Sequence, residues 1–161
     1  MQQERLTLLQ SMPIFGGLNE TGLDFLSGLF KEVSVPQNAY FFNEGDSANS
    51  LFILESGQAQ VLKRDRHQGE SRILRTLERG DCFGEMSLID LNPRSASVIA
   101  TADCLAIELS NQALFQLYEV HMDQFTLIQM NMLREVSRRL RDLDERLSEL
   151  DSDLLPILQP S

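Results

Sequence analysis

Apolar positions change their spacing twice along the chain. From about Glu4 to Leu29, Leu6, Leu8, Leu9, Leu18, Leu23, Leu26 and Leu29 recur at mostly helical intervals. Pro13 and Gly16-Gly17 interrupt that series, which predicts two short helices around a turn, with Asn19 capping the second. From about Glu32 to Glu108 the pattern shortens to β-like runs: Val33–Val35, Tyr40–Phe42, Leu51–Leu54, Ala59–Leu62, Arg72–Leu77, Ala96–Ala100 and Leu105–Leu109. Gly45, Gly57 and Gly80 fall at the corners between them, and a polar tip spans Arg64 to Glu70. Ser110 then reads as the N-cap of a helix holding Leu114, Phe115 and Leu117. A longer helix follows from about Met122 to Leu154, ended by Pro156 and Pro160. The predicted fold class is α+β but mainly β: a small jelly-roll β-barrel flanked by N-terminal helices and a long C-terminal dimerisation helix. Its predicted units are residues 1–120 for the barrel with its helices, 121–155 for the long helix and 156–161 for a tail.

The long helix carries Leu133, Val136, Leu140, Leu143, Leu147 and Leu150, spaced alternately by three and four. That period of roughly 3.5 residues is the stripe of a coiled coil, although a helix packed on its own barrel needs a similar face. With Leu133 at position a, Arg139 and Arg146 fall at g and Asp144 and Asp151 at e. A parallel pair then sets Arg139 against the partner's Asp144 and Arg146 against the partner's Asp151, whereas an antiparallel pair brings like charges together. The predicted assembly is a parallel homodimer through residues 133–150.

Composition narrows the possible chemistry. The 161 residues carry a net charge of -10, which argues against the whole chain lying on nucleic acid. Cys82 and Cys104 are too few for a disulfide framework and lack metal-ligand spacing; Cys104, in the apolar run to Ile107, reads as a buried structural thiol. His67 and His121 lie far apart and read as surface residues, so no metal or other cofactor is expected. The N-terminus shows no apolar leader, and no run reaches the roughly 18 apolar residues of a membrane span. The expected setting is cytoplasmic, with no membrane contact.

One segment carries a constellation: Phe83-Gly84-Glu85-Met86-Ser87-Leu88-Ile89, then Pro93-Arg94-Ser95-Ala96. Gly84 lets backbone approach a ligand closely. The residues after it can open a short helix whose free N–H groups favour an anion. Arg94 presents a planar fork of donors matched to two oxygens of one phosphate, and Ser95 adds a hydroxyl and an N–H. Glu85 repels a phosphate but accepts from hydroxyl groups, such as those of a ribose. Two readings stand at this level: a nucleotide site, or a Glu85–Arg94 salt bridge closing a surface loop.

The segment resembles the phosphate-binding cassette of cyclic-nucleotide-binding domains, the family of bacterial catabolite activators, protein kinase A regulatory subunits and cyclic-nucleotide-gated channels. The likeness extends to Glu44-Gly45-Asp46, Ser56-Gly57 and Arg138-Arg139-Leu140. It implies that Arg94, Ser95 and backbone amides at Ser87 and Ser95 bind a cyclic phosphate, and that Glu85 and the Gly84 backbone hold the ribose 2′-OH. Met86 reads as packing at the edge of the site. Leu74 and Ala96 complete the candidate set, and Asp144 is a candidate acceptor for an adenine amino group. The resemblance points to cAMP, with cGMP as the alternative, and to a regulatory domain that relays occupancy to an unnamed effector protein. A non-binding scaffold and a sensor of another effector are the competing readings. No Ser-His-Asp set, P-loop or metal-spaced His is present, so no enzyme is expected. The few residues after Leu150 leave no helix-turn-helix, so direct DNA binding is not expected either.

Overall fold

A computed structural model describes the backbone of residues 2–65 and 69–158 and the side chains of residues 4–65 and 69–150. Helix α1 (Gln2–Ser11), a 3-10 turn (Pro13–Phe15) and α2 (Glu20–Ser27) precede the sheets. Strands β1 (Lys31–Val35), β2 (Tyr40–Phe42), β3 (Ser50–Ser56), β4 (Ala59–Arg64), β5 (Ser71–Leu77) and β6 (Cys82–Phe83) lead to a short helix, α3 (Met86–Asp90). Then come β7 (Ser97–Ala100), β8 (Cys104–Ser110), α4 (Asn111–Val120) and α5 (Met122–Leu158). Both predicted caps form: Asn19 accepts from the Gly22 N–H at 2.8 Å and Ser110 from the Ala113 N–H at 3.1 Å.

The strands make two four-stranded sheets, ordered β1-β8-β3-β6 and β2-β7-β4-β5, with every pairing antiparallel. Strand period decides the two cores. In β3, Leu51 and Ile53 join the helices, while Phe52 and Leu54 point between the sheets; β8 divides the same way, with Ile107 and Leu109 against Cys104 and Ala106. The centre of the first sheet, β3 and β8, is therefore buried on both faces, by helices on one side and by the second sheet on the other. The second sheet ends in β5, whose first four residues are exposed.

Helix α5 joins this body through its first three turns. Ile128 and Met132 are buried in the helical core. Asn131 Nδ2 donates to the Gly16 carbonyl at 2.8 Å, and Gln124 Oε1 accepts from the Asn19 N–H at 2.9 Å. Beyond Met132 the helix leaves the core, and Leu133, Leu140, Leu143, Leu147 and Leu150 are each more than half exposed.

Three expectations change. The helix does not stop at Leu154 but continues through Pro156 to Leu158. A proline in the last turn forfeits one i→i−4 bond where the ladder is ending anyway, so it does not break the helix there. Strand β6 is new: a two-residue pairing with β3 is too short to show a period. His121 is half-buried, its ring 5.3 Å from that of Phe25 in an edge-to-face contact. His67 and the tip of the β4–β5 connection lie outside the described residues.

Candidate functional site

The cassette closes over one side of the inter-sheet core. Gly84 has φ +80°, and a Cβ there would stand 2.5 Å from Arg94 Nη1, so glycine is required both by the backbone and by the arginine beside it. That close approach gives a hydrogen bond: Arg94 Nη1 donates to the Gly84 carbonyl at 3.0 Å. Arg94 Nη2 reaches the buried Ser50 hydroxyl at 3.4 Å. The guanidinium carbon lies 4.0 Å from the centroid of the Phe42 ring, in a cluster with Phe41, Phe52 and Phe83.

Arg94 is 5% exposed, and among the described residues it has no carboxylate partner, while its Nε–H has no acceptor. Burial pulls its pKa down, with Glu108, Asp46 and Glu85 acting in the opposite sense from a distance. A buried cation without a paired anion is costly unless something else supplies the charge.

Glu85, 3% exposed, does not pair with Arg94. Its carboxylate is held by Arg139 of α5, which also donates to Glu135 at 3.3 Å. The loop-closing Glu85–Arg94 salt bridge is thus absent. Arg139, read from sequence as a g-position partner for Asp144 of a second chain, is spent instead on its own cassette. Glu135 further accepts from Arg138 at 2.7 Å, and that hydrogen bond holds its carboxyl below the ordinary value.

Two spaces meet at this ion pair. One, of about 80 Å³, is lined by Phe42, Val61, Arg75, Phe83 to Ser87, Arg94 to Ala96, Val98 and Arg139. The other, of about 350 Å³, lies between the 3-10 turn, the β5–β6 connection and α5. Arg75, Glu85 and Arg139 line both, so the Glu85–Arg139 pair is the partition. The first is well below the roughly 300–1,000 Å³ of small-molecule sites and the second falls within that range.

The structure brings Gly84, Glu85, Met86, Ser87, Arg94, Ser95 and Ala96 together around the smaller space. It does not bring Leu74 or Asp144 there: Leu74 is 58% exposed on β5, and Asp144 is exposed on α5 beyond Arg139. One residue of the site, Arg75, escaped sequence reasoning, and so did the contact of Arg139 with Glu85, although Arg139 itself lies in the stretch that carries the likeness. Arg75 follows Leu74 in β5, and strand alternation turns consecutive side chains to opposite faces. Arg75 Nη2 donates to the Cys82 carbonyl at 3.3 Å, while burial and the nearby Arg139 charge lower its pKa. Burial raises the Cys82 thiol pKa well above the ordinary range, so the thiol is kept neutral.

Two antiparallel sheets with helices on one side and a buried arginine facing a glycine-led turn define the class as a mainly-β domain with a buried cationic site. The family description "Cyclic nucleotide-binding domain" matches residues 32–121, more than half of the chain, and the chain belongs to that family. It is 31% identical over 147 residues to the Cyclic AMP receptor protein of Thermus thermophilus, covering 91% of this chain and 63% of that protein. It is 32% identical over 125 residues to a cGMP-dependent protein kinase of Drosophila melanogaster (isozyme 2 forms cD5/T2), covering 74% of this chain and 13% of the kinase. The crystal structure of a cyclic nucleotide-binding domain from Methylobacillus flagellatus has the same fold, with TM-score 0.79 at 24% identity over 99% of this chain and 85% of that one. The chain thus spans less than two thirds of the length of these two full-length relatives. Among the described residues no helix is long and apolar enough to cross a membrane, and no group of His, Cys, Asp and Glu is arranged to hold a metal ion.

Proposed function

We propose that this domain binds a cyclic purine nucleotide at the cassette, cAMP first, and reports occupancy through α5. The observation that carries the reading is Arg94: a buried guanidinium without a carboxylate, with a spare Nε–H, beside a cavity it lines with Ser95. A cyclic phosphate supplies the missing anion. Glu85, the one buried carboxylate of that lining, takes the ribose hydroxyl. The base then extends past Arg75.

Binding and conformation are linked because Glu85 is already engaged. A ribose hydroxyl competes with Arg139 for the carboxylate, and moving Arg139 joins the two spaces into one large enough for a nucleotide. Arg139 belongs to the stretch of α5 that has left the core, so its release shifts the helix rather than the sheets. That is the differential contact a two-state relay requires. In this reading residues 1–120 form the sensor, 121–155 the output helix, and Leu133 to Leu150 the seam of a parallel homodimer. The setting is cytoplasmic and the effector is a protein. Asp144 acts at the seam, with the base contact left to a movement of α5.

Arg75 favours cGMP as the second reading. A guanidinium fork matches the N7 and O6 acceptors of guanine, whereas adenine presents a donor in place of O6. The experiment is calorimetric titration of the wild-type protein with cAMP and with cGMP, repeated on Arg94→Ala, Glu85→Ala and Arg75→Ala. Arg94→Ala weakens binding by about 2–5 kcal/mol, the scale of truncating one side of a buried charge pair. Loss of cGMP binding alone in Arg75→Ala selects the second reading. The absence of heat with either nucleotide rejects both.

A further inference from the structure

The phosphate-facing arm, Arg94 to Ala96, is held from behind by the turn before β3. The Gly45 N–H donates to the Arg94 carbonyl at 2.9 Å, and the Arg94 N–H donates to the Asp46 carbonyl at 2.8 Å. The Ser95 carbonyl takes no part in that pair of bonds. It accepts instead from Lys63 Nζ of β4 at 2.5 Å, and the same ammonium donates to Glu44 Oε1 at 2.6 Å. Glu44 is itself fixed: its N–H donates to the Ser97 hydroxyl at 2.8 Å, and its second carboxylate oxygen accepts from the Arg64 N–H at 3.2 Å.

These contacts determine where the arm's amides point. A trans peptide sets its N–H opposite its C=O. The bond from Gly45 to the Arg94 carbonyl therefore aims the Ser95 N–H, and the bond from Lys63 to the Ser95 carbonyl aims the Ala96 N–H away from β4. Ser95 and Ala96 both line the smaller space with Arg94, while neither Lys63 nor Glu44 does. Lys63 is only partly exposed, 40% of its side chain, and Glu44 30%, so the pair is more than a solvated surface bridge.

We infer that Lys63 and Glu44 are a positioning pair for the anion site, aiming the Ser95–Ala96 backbone at the ligand's phosphate without touching it. The inference rests on the cyclic-nucleotide reading of that site. It makes a prediction that simple charge arithmetic contradicts. Removing the Glu44 carboxylate takes a negative charge from the neighbourhood of an anion site, which by itself strengthens anion binding. In a positioning role the same change frees Lys63, loosens the Ser95 carbonyl and weakens binding.

The test is calorimetry with cAMP, cGMP and their two phosphorothioate diastereomers, in which one or the other exocyclic oxygen is sulfur. Wild type, Lys63→Met, Lys63→Arg and Glu44→Met are compared, with Tm measured for each. Lys63→Met and Glu44→Met each weaken binding by about tenfold, the scale of one charge-assisted hydrogen bond. Both change the ratio of affinities for the two diastereomers, and Lys63→Arg restores affinity and ratio toward wild type. A loss of Tm at constant affinity, or tighter binding by Glu44→Met, overturns the inference and leaves the nucleotide reading standing. A wild-type protein that binds no cyclic nucleotide overturns the nucleotide reading and this inference with it.

Discussion

At the scale of single residues, Arg94 sits in an environment that a stability argument does not explain. Its guanidinium is stacked on Phe42, bonded to one carbonyl and one hydroxyl, and deprived of any carboxylate among the described residues. Replacing a buried charged group by an apolar one of similar length is often neutral or stabilising. Arg94→Met is therefore expected to lower the ligand-free Tm by less than about 2 °C or to raise it, while eliminating nucleotide binding. Differential scanning calorimetry checks the first half; a fall of more than about 6 °C would show that Arg94 is held for the fold. Gly84 carries the same lesson, since its φ of +80° and the 2.5 Å approach of Arg94 Nη1 leave no room for a side chain. Both residues were legible in the sequence because their types are unusual for their context. The contact of Arg139 with Glu85 was not, because an arginine at a heptad flank already had a sufficient role, and only the fold shows α5 passing over Glu85. The Glu44–Lys63 pair was equally hidden, as its members are 19 positions apart and meet through the β2–β7–β4 pairing.

At the scale of elements, α5 is two helices in one. Its first three turns are clamped by Ile128, Met132, Asn131 and Gln124, and the rest touches the body through Arg139. Within the outer part Glu135 accepts from Arg138 and Arg139. The Arg138 hydrogen bond depresses the Glu135 pKa below its ordinary 4.5, with the charges of Arg139 and Arg138 adding to it. The depressed carboxyl contributes stability that is fully present above about pH 4.5 and is lost as pH falls through the folded-state value. Below that value Arg139 loses one of its two carboxylate partners. Backbone hydrogen exchange in α5 beyond Met132 is expected to accelerate there before exchange in β3 and β8 does. Glu135→Gln is expected to abolish this early acid step; its persistence in that variant would assign it to another group. All strands but β6 and both caps were legible because apolar period and cap chemistry act locally. The end of α5 was not: Pro156 reads as a stop only if the ladder is meant to continue.

At the scale of the whole molecule, a domain of this family presents an uncovered leucine stripe next to a self-occupied site. Leu133, Leu140, Leu143, Leu147 and Leu150 are each more than half exposed, whereas a monomeric soluble protein rarely leaves so long a contiguous apolar line open. A second copy, related by a two-fold axis along the helix, is the occupant the period fits. In the proposed parallel homodimer, pairing of Arg139 with the partner's Asp144 would require that Arg139 first leave Glu85. Leu140→Glu with Leu147→Glu is expected to convert a dimer to a monomer in sedimentation equilibrium. A wild-type protein of monomer mass at every concentration and ligand condition would contradict the seam.

The central claim is that a cyclic nucleotide displaces Arg139 from Glu85 and supplies the anion that Arg94 lacks. Isothermal titration of the wild-type protein with cAMP and cGMP, alongside Arg94→Ala, tests it most directly. Saturable one-per-chain binding of at least one nucleotide to wild type, weakened by about 30-fold or more in Arg94→Ala, is the predicted result. Equal affinity in the two proteins, or no heat from wild type with either nucleotide at millimolar concentration, would contradict it.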